Sequence, residues 1–433
     1  MQLSPLAFLI TALIFITIFI LLGIIGLFKI RKTSPLMLFR DKEQGEKEPR
    51  GNTLLAILSL FAIGTGYYLS LTSSNLTALA VLGRFFIAVI IVIIGTYLFY
   101  IAFMTWYLKK RRQNKTYFYQ PEHFVSTSQM IFRMKQNAVG LANITILAVM
   151  AFVAIATTTA LYNDTESMTK QLFPKSSHIE FVNSDIKDQR EVFDRLVLAK
   201  NGKAASDFTI FTSAMVSFDI STKETITVTK ESISSPSPAK TGFVYLITQD
   251  DFRGLGNHLP RLKAKETAFF KQTGDSHLKE LTLLGETYHN VKNFKSVNFP
   301  PVANTYNPAI LVVPDTATLH HIQKQFYDIT QFGNNPTLSA YANLSQKEID
   351  SITDGKGVIK DGESYIGHIE TKEDFLKESY ALTGGFLFTG FLLGLSFILG
   401  AALIIYYKQY SEGHEDKKSY RILQEVGMSQ KDH

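Results

Sequence analysis

The sequence predicts a polytopic α-helical membrane protein with five spans and one large extracellular α+β domain. Three observations carry that prediction. Five long runs are almost free of charge, lysine and arginine are unevenly placed between them, and a polar-patterned stretch precedes the last run.

The apolar runs occupy 6–28 (LAFLITALIFITIFILLGIIGLF), 53–71, 76–108, 138–162 and 381–407. Each approaches or exceeds the ~20 residues that cross a hydrocarbon core of ~30 Å at 1.5 Å per residue. A buried soluble helix accounts for one such run, not for five. The first run is too long for the apolar region of a secretory signal. It lacks basic residues ahead of it and a clear small-residue cleavage site behind it, so it is read as a retained span. The chain has no cysteine, which excludes disulfides, thiol catalysis and thiolate metal sites. A cysteine-free outward domain is compatible with a bacterial surface.

Orientation follows from the basic residues. The segment 29–50 holds seven (Lys29, Arg31, Lys32, Arg40, Lys42, Lys47, Arg50) and 109–135 holds another seven, whereas TSSN at 72–75 and residues 1–6 hold none. By the positive-inside rule the two basic loops are cytoplasmic. The expected layout is four spans with two basic loops over 1–162, an extracellular α+β domain over 163–379, a fifth span over 380–407 and a cytoplasmic stalk over 408–433. The net charge of +6 then has a membrane explanation and gives no reason to expect nucleic acid as a partner.

Within the outer domain, FTIFTSAMVSFDI (208–220), ETITVTK (224–230), GFVYLIT (242–248) and PAILVVP (308–314) are rich in β-branched and aromatic residues and read as strands. DQREVFDRLVLAKNG (188–202) and DTATLHHIQKQFYDI (315–329) have helical spacing, the first stopping at Asn201-Gly202. SISSPSPAK (232–240) reads as a turn-rich loop.

Catalytic chemistry is hard to find. His320 and His321 adjoin, but neighbours on a helix point about 100° apart, a poor arrangement for ligating one metal. Asp250-Asp251 and the carboxylates from Glu370 to Glu378 suit helix starts and solvated faces. No G-x-S-x-G, H-E-x-x-H or calcium loop occurs, and no G-x-x-x-x-G-K-[ST]. The expectation is a non-enzymatic subunit with no cofactor or metal, any nucleotide energy coming from a separate chain.

Two cytoplasmic segments look suited to receive such a chain. In STSQMIFRMKQNAVGLANITIL (126–147), Ser126, Thr127 and Ser128 are candidate N-caps. Met130, Phe132 and Met134 alternate with Arg133 and Lys135 in a short half-apolar helix that runs into span four, an arrangement that also suits an interfacial anchor. In YYKQYSEGHEDKKSYRILQEVGMSQ (406–430), Tyr420, Leu423 and Val426 mark one helical face with Ile422 beside them. Gly427 fits a helix stop, and Ser429 to Asp432 has the pattern of a capping box that would open another helix.

These two stretches resemble the signature segments of the bacitracin-resistance (Bce-type) permeases within the FtsX-like ABC permeases. The layout, a large outer domain between two spans followed by a tail like YRILQEVGMS, is similar to that family over essentially the whole chain. The resemblance implies ten spans in the complete protein, the five here being the fourth to eighth, so this chain is expected to be an internal piece of a longer permease without protective activity by itself. It also implies partners: a separate ABC ATPase subunit, a membrane histidine kinase, and an antimicrobial peptide or lipid-linked wall precursor. The implied role is resistance to and sensing of cell-wall-active peptides, with ATPase motion passed to the outer domain through the stalk. Gln129, Met130, Phe132, Arg133, Lys135, Gln136, Asn137, Glu412, His414, Glu415, Tyr420 and Leu423 are the candidate ATPase-coupling residues. Arg84, about eight residues into span three, is costly in hydrocarbon unless it snorkels or is paired, and is a candidate contact for an anionic lipid phosphate. Two other readings stay open: a different FtsX-like lever that drives lipoprotein release or hydrolase activation, and a membrane receptor that works without an ATPase.

Overall fold

The computed structural model describes residues 5–32, 51–72, 78–182, 188–221, 223–237, 240–305, 307–331, 336–355 and 357–425. Five of its helices are long and apolar enough to cross a membrane. They are α1 (Pro5–Lys32), α2 (Thr53–Leu71), α3 (Ala78–Leu98, continued by a π-turn at Phe99–Phe103 and by α4, Met104–Gln113), α5 (Pro121–Leu172) and α7 (Lys372–Glu425). Their large apolar side chains, such as Phe8, Phe61, Phe85, Phe152 and Leu392, are exposed, the pattern of helices solvated by hydrocarbon.

The two longest helices flank the folded domain. α5 has 52 residues and α7 has 54, about 80 Å each at 1.5 Å per residue. Their lengths have local causes. α5 begins with Pro121 in its first turn, where a missing N–H costs nothing. No further proline follows until Pro174, just past the helix end. The expected start at Ser126–Ser128 is therefore corrected: these residues lie inside the helix, and Gln120 occupies the N-cap position. α7 is started by Thr371, whose hydroxyl accepts from the Asp374 N–H at 3.0 Å, and no proline interrupts it. The capping box at Ser429, like Val426 and Gly427, lies outside the described residues.

Between α5 and α7 the described chain forms a mixed eleven-stranded sheet. Its strands are β1 (Ser177–Phe181), β2 (Thr209–Asp219), β3 (Thr225–Val228), β4 (Thr241–Thr248), β5 (Glu266–Lys271), β6 (Glu280–Leu283), β7 (Glu286–Phe294), β8 (Ala309–Val313), β9 (Thr337–Ala342), β10 (Val358–Asp361) and β11 (Ser364–Thr371). The spatial order is β10-β11-β1-β9-β2-β4-β8-β5-β7-β6-β3. All four segments expected as strands are strands. β4 and β8 pair in parallel, and β8 is buried along its whole length, which accounts for its unbroken AILVV. Helix α6 (Thr316–Thr330) is capped by Asp315, whose carboxylate accepts from the Thr318 N–H at 2.8 Å. It lays Leu319, Ile322 and Phe326 onto the core around Val244, Leu246 and Leu311. The expected helix at 188–202 also forms, with a π-turn at Asp194–Leu198 and Gly202 at φ +70° ending it. The expected loop at 232–240 is partly helical, because Thr229 caps a turn over Lys230–Ser234.

The chain enters this domain through β1 and leaves through β11, and those two strands are antiparallel neighbours, Ser177 opposite Thr371 and Phe181 opposite Gly367. Both long helices therefore leave the sheet at one place. Such a tight pairing requires glycine at 367: a Cβ there would lie 2.0 Å from the Glu180 carbonyl oxygen and 2.9 Å from the Phe181 Cα.

Candidate functional site

The candidate coupling residues lie on α5 and α7, which pack against each other along much of their length. At the domain end, the Phe173 and Phe375 rings meet at 5.1 Å and the Tyr162 and Tyr380 rings at 5.1 Å. The Thr165 hydroxyl donates to the Thr383 hydroxyl at 3.1 Å. Further along, Gly390 and Gly394 bring the backbones together: a Cβ at 390 would sit 2.9 Å from the Ala154 carbonyl oxygen, and one at 394 would sit 3.3 Å from that of Ala151. Small residues four apart are the usual device for close helix approach in hydrocarbon, where dispersion rather than water drives association.

The far end is polar. The Asn137 side-chain amide donates to the Glu412 carboxylate, and the Lys408 ammonium donates to the Asn137 carbonyl at 3.1 Å. Gly140 leaves room for that lysine, since a Cβ at 140 would lie 3.3 Å from Lys408 Nζ. Of the sequence-derived candidates, Asn137 and Glu412 are thus in direct contact across the two helices. Met130 and His414 are exposed on the same helices. Gln129, Phe132, Arg133, Lys135 and Gln136 lie on α5 and Glu415, Tyr420 and Leu423 on α7, with helical backbone. Lys408, Gly140, Gly390 and Gly394 were not among the candidates; the spacing of GFLLG (390–394) was the one signal in the sequence that pointed to the crossing.

A third helix joins this pair. The Tyr97 hydroxyl donates to the Asn143 side chain on α5, and the Tyr100 and Thr145 hydroxyls are 2.8 Å apart. Polar pairs of this kind give helices in hydrocarbon a defined register. Arg84 does not stand alone in span three: its guanidinium donates to the Thr72 carbonyl at 3.4 Å and to the Thr72 hydroxyl at 3.3 Å, tying α3 to the end of α2. His320 is exposed, and His321 Nε2 meets a Glu286 carboxylate oxygen at 2.7 Å. Among the described residues no group of three or more histidine or acidic side chains is placed to hold a metal ion.

No protein-family model matches the chain. Among curated proteins, ABC transporter permease protein YxdM of Bacillus subtilis is 23% identical over 442 residues, which take in 98% of this chain and 64% of that protein. Bacitracin export permease protein BceB of the same organism is 24% identical over 445 residues, 98% of this chain and 65% of that protein. The uncharacterized ABC transporter permease YvcS, also of Bacillus subtilis, is 30% identical over 181 residues, 42% of this chain and 27% of its own length. The chain thus spans slightly less than two thirds of YxdM and BceB, the relatives it matches over nearly its whole length. With apolar helices of membrane-spanning length, this multi-pass membrane chain is similar over nearly all its residues to ABC transporter permeases, bacitracin export permeases among them.

Proposed function

We propose that this chain is the lever-bearing part of an ABC permease that protects against cell-wall-active antimicrobial peptides and reports their presence. In this reading a separate ATPase binds the α5 and α7 ends near Met130, Asn137 and Glu412. Its closure is passed along the helix pair to the sheet domain, which lies outside the cell. There the domain acts on an antimicrobial peptide or lipid-linked wall precursor, and a membrane histidine kinase receives the signal. The observation that carries the reading is the helix pair itself. Two helices of about 80 Å are joined at the polar end through Asn137, Glu412 and Lys408 and at the domain end through Phe173 and Phe375, and they feed adjacent strands of one sheet. A displacement at one end of so continuous an element has few ways to dissipate before the other, as switching between packed arrangements requires.

Cross-linking in the assembled complex tests this. Gln129→Cys or Phe132→Cys, in a chain free of native cysteine, is combined with single cysteines on the cognate ATPase surface in the full-length permease. Cross-links at these positions, with drug protection lost when the ATPase cannot hydrolyse ATP, are the expected result. Failure of several such pairs in an intact complex refutes the docking site, and protection independent of hydrolysis refutes the lever.

A further inference from the structure

Where the two long helices meet the sheet, the domain has a cavity of about 240 Å³, open on one side to solvent, that the coupling role does not use. Its floor is one face of β1, β9, β2, β4 and β11. Leu172, the last residue of α5, and Phe375, in the first turn of α7, also line it. We propose that this cavity binds an organic cation, a primary ammonium or guanidinium group carried on a short apolar stem.

Charge is the first reason. Glu180 and Glu370 both line the cavity, and no lysine or arginine does. Glu370 has no hydrogen-bond or ion-pair partner among the described residues, and the nearest cationic candidate for Glu180 is His368 Nε2 at 3.9 Å. Burial, with Glu378, Glu180 and Asp374 nearby, pushes the Glu370 carboxyl above its ordinary range despite the opposing influence of His368. A carboxylate in that position is short of positive charge, and an arriving cation supplies it.

The second reason is independent of the acids. His178 lies opposite Glu370 on one side and Tyr341 on the other, and its ring stacks on Tyr341 at 4.5 Å and 14°. Its Nε2 is shut off from solvent and has no hydrogen-bond partner among the described residues. Buried polar atoms are nearly always satisfied; this one sits behind the cavity wall that the His178 side chain helps to form. Burial lowers the His178 pKa to about 4, so near neutral pH the ring is uncharged and does not repel a cation. The Tyr341 ring is covered by His178 and Phe211, but its hydroxyl, on a side chain 1% exposed that lines the cavity, has no hydrogen-bond partner among the described residues and can accept from the cation's N–H. Leu172, Phe375 and Met215 supply an apolar wall for the stem. A ligand held between Glu180 on β1 and Glu370 on β11 would span the two strands that carry α5 and α7; that consequence rests on the lever reading, whereas binding itself does not.

The test is calorimetric titration of the full-length protein in nanodiscs with n-butylammonium, n-butylguanidinium and tetramethylammonium chlorides, at matched ionic strength against sodium chloride. Saturable binding of the first two, absent for tetramethylammonium with its lack of N–H donors, is the expected result. Glu370→Gln keeps the shape and removes a half-buried charge, so it should weaken binding by about tenfold or more. Glu180→Gln should do the same if Glu370→Gln fails to fold, as judged by thermal melting. No saturable heat, an equal response to tetramethylammonium or sodium, or undiminished binding by a folded Glu→Gln variant would each overturn the proposal. Neither ATPase nor drug is present, so a negative result leaves the lever reading standing.

Discussion

Replacing Gly367 by alanine should destabilise the root of the domain more than any comparable single-methyl change. The added Cβ would sit 2.0 Å from the Glu180 carbonyl oxygen and 2.9 Å from the Phe181 Cα. Both obstacles are backbone atoms of β1, so no side chain can rotate away. Ordinary contact lies beyond 3.4 Å, so β11 must move from β1 by more than 1 Å at that register, across the pairing of Phe181 with Gly367. Overpacking of this kind costs about 3 kcal/mol, the upper part of the usual range. For a domain of this size each kcal/mol lowers the midpoint by about 2–4 °C, giving a fall of about 6–12 °C. The assay is thermal melting by circular dichroism of residues 163–379, which are expected to fold as a soluble unit. Gly254→Ala is the control: nothing lies within 4 Å of a Cβ there, and its midpoint should stay within about 2 °C of the parent. A Gly367→Ala midpoint indistinguishable from the control would refute the claim that β1 and β11 need this close approach.

Two other outcomes follow from the same geometry. Gly390→Leu should wedge α5 from α7 at the Ala154 carbonyl and slow disulfide formation between Thr165→Cys and Thr383→Cys, whose hydroxyls are 3.1 Å apart in the parent. Gly385→Leu, with nothing within 4 Å, should leave the rate unchanged; equal rates in both would sink the crossing. The pH dependence of domain stability should carry a contribution from His178, whose folded pKa is lowered from 6.5 to about 4 by burial and then by the charge of His368. The unfolded chain takes up that proton first, so this stability is complete above pH 6.5 and declines as pH falls toward 4. Glu370, raised by burial, titrates with the opposite sign, so the comparison is His178→Gln against the parent in melts at several pH values. A difference that does not change between pH 7 and 4 would refute the assignment.

By itself the sequence determined the parts whose cause is local. A run such as 6–28 reads as a span because hydrocarbon selects residues one at a time, and β4 and β8 read as strands because their β-branched runs have nowhere else to go. The stretch 126–147 was legible as a helix running into a span, but not as one beginning at Pro121, since capping candidates at Ser126–Ser128 competed with a start that proline makes just as well. Tertiary structure decided what depends on partners far along the chain. SHIEF and SYIGHIET carry too little apolar alternation to declare strands, and they become β1 and β11 by pairing with each other across the whole of the intervening domain, from Phe181 to Ser364. The same pairing sets His178 beside Glu370 and brings α5 and α7 together, so that Asn137 meets Glu412. Glycines 367, 390 and 394 were visible as letters, but only the backbone opposite each one shows why a methyl group has no room. Contacts of such sequence separation leave no periodic trace, because they are chosen by packing of the whole domain rather than by the preference of any short segment.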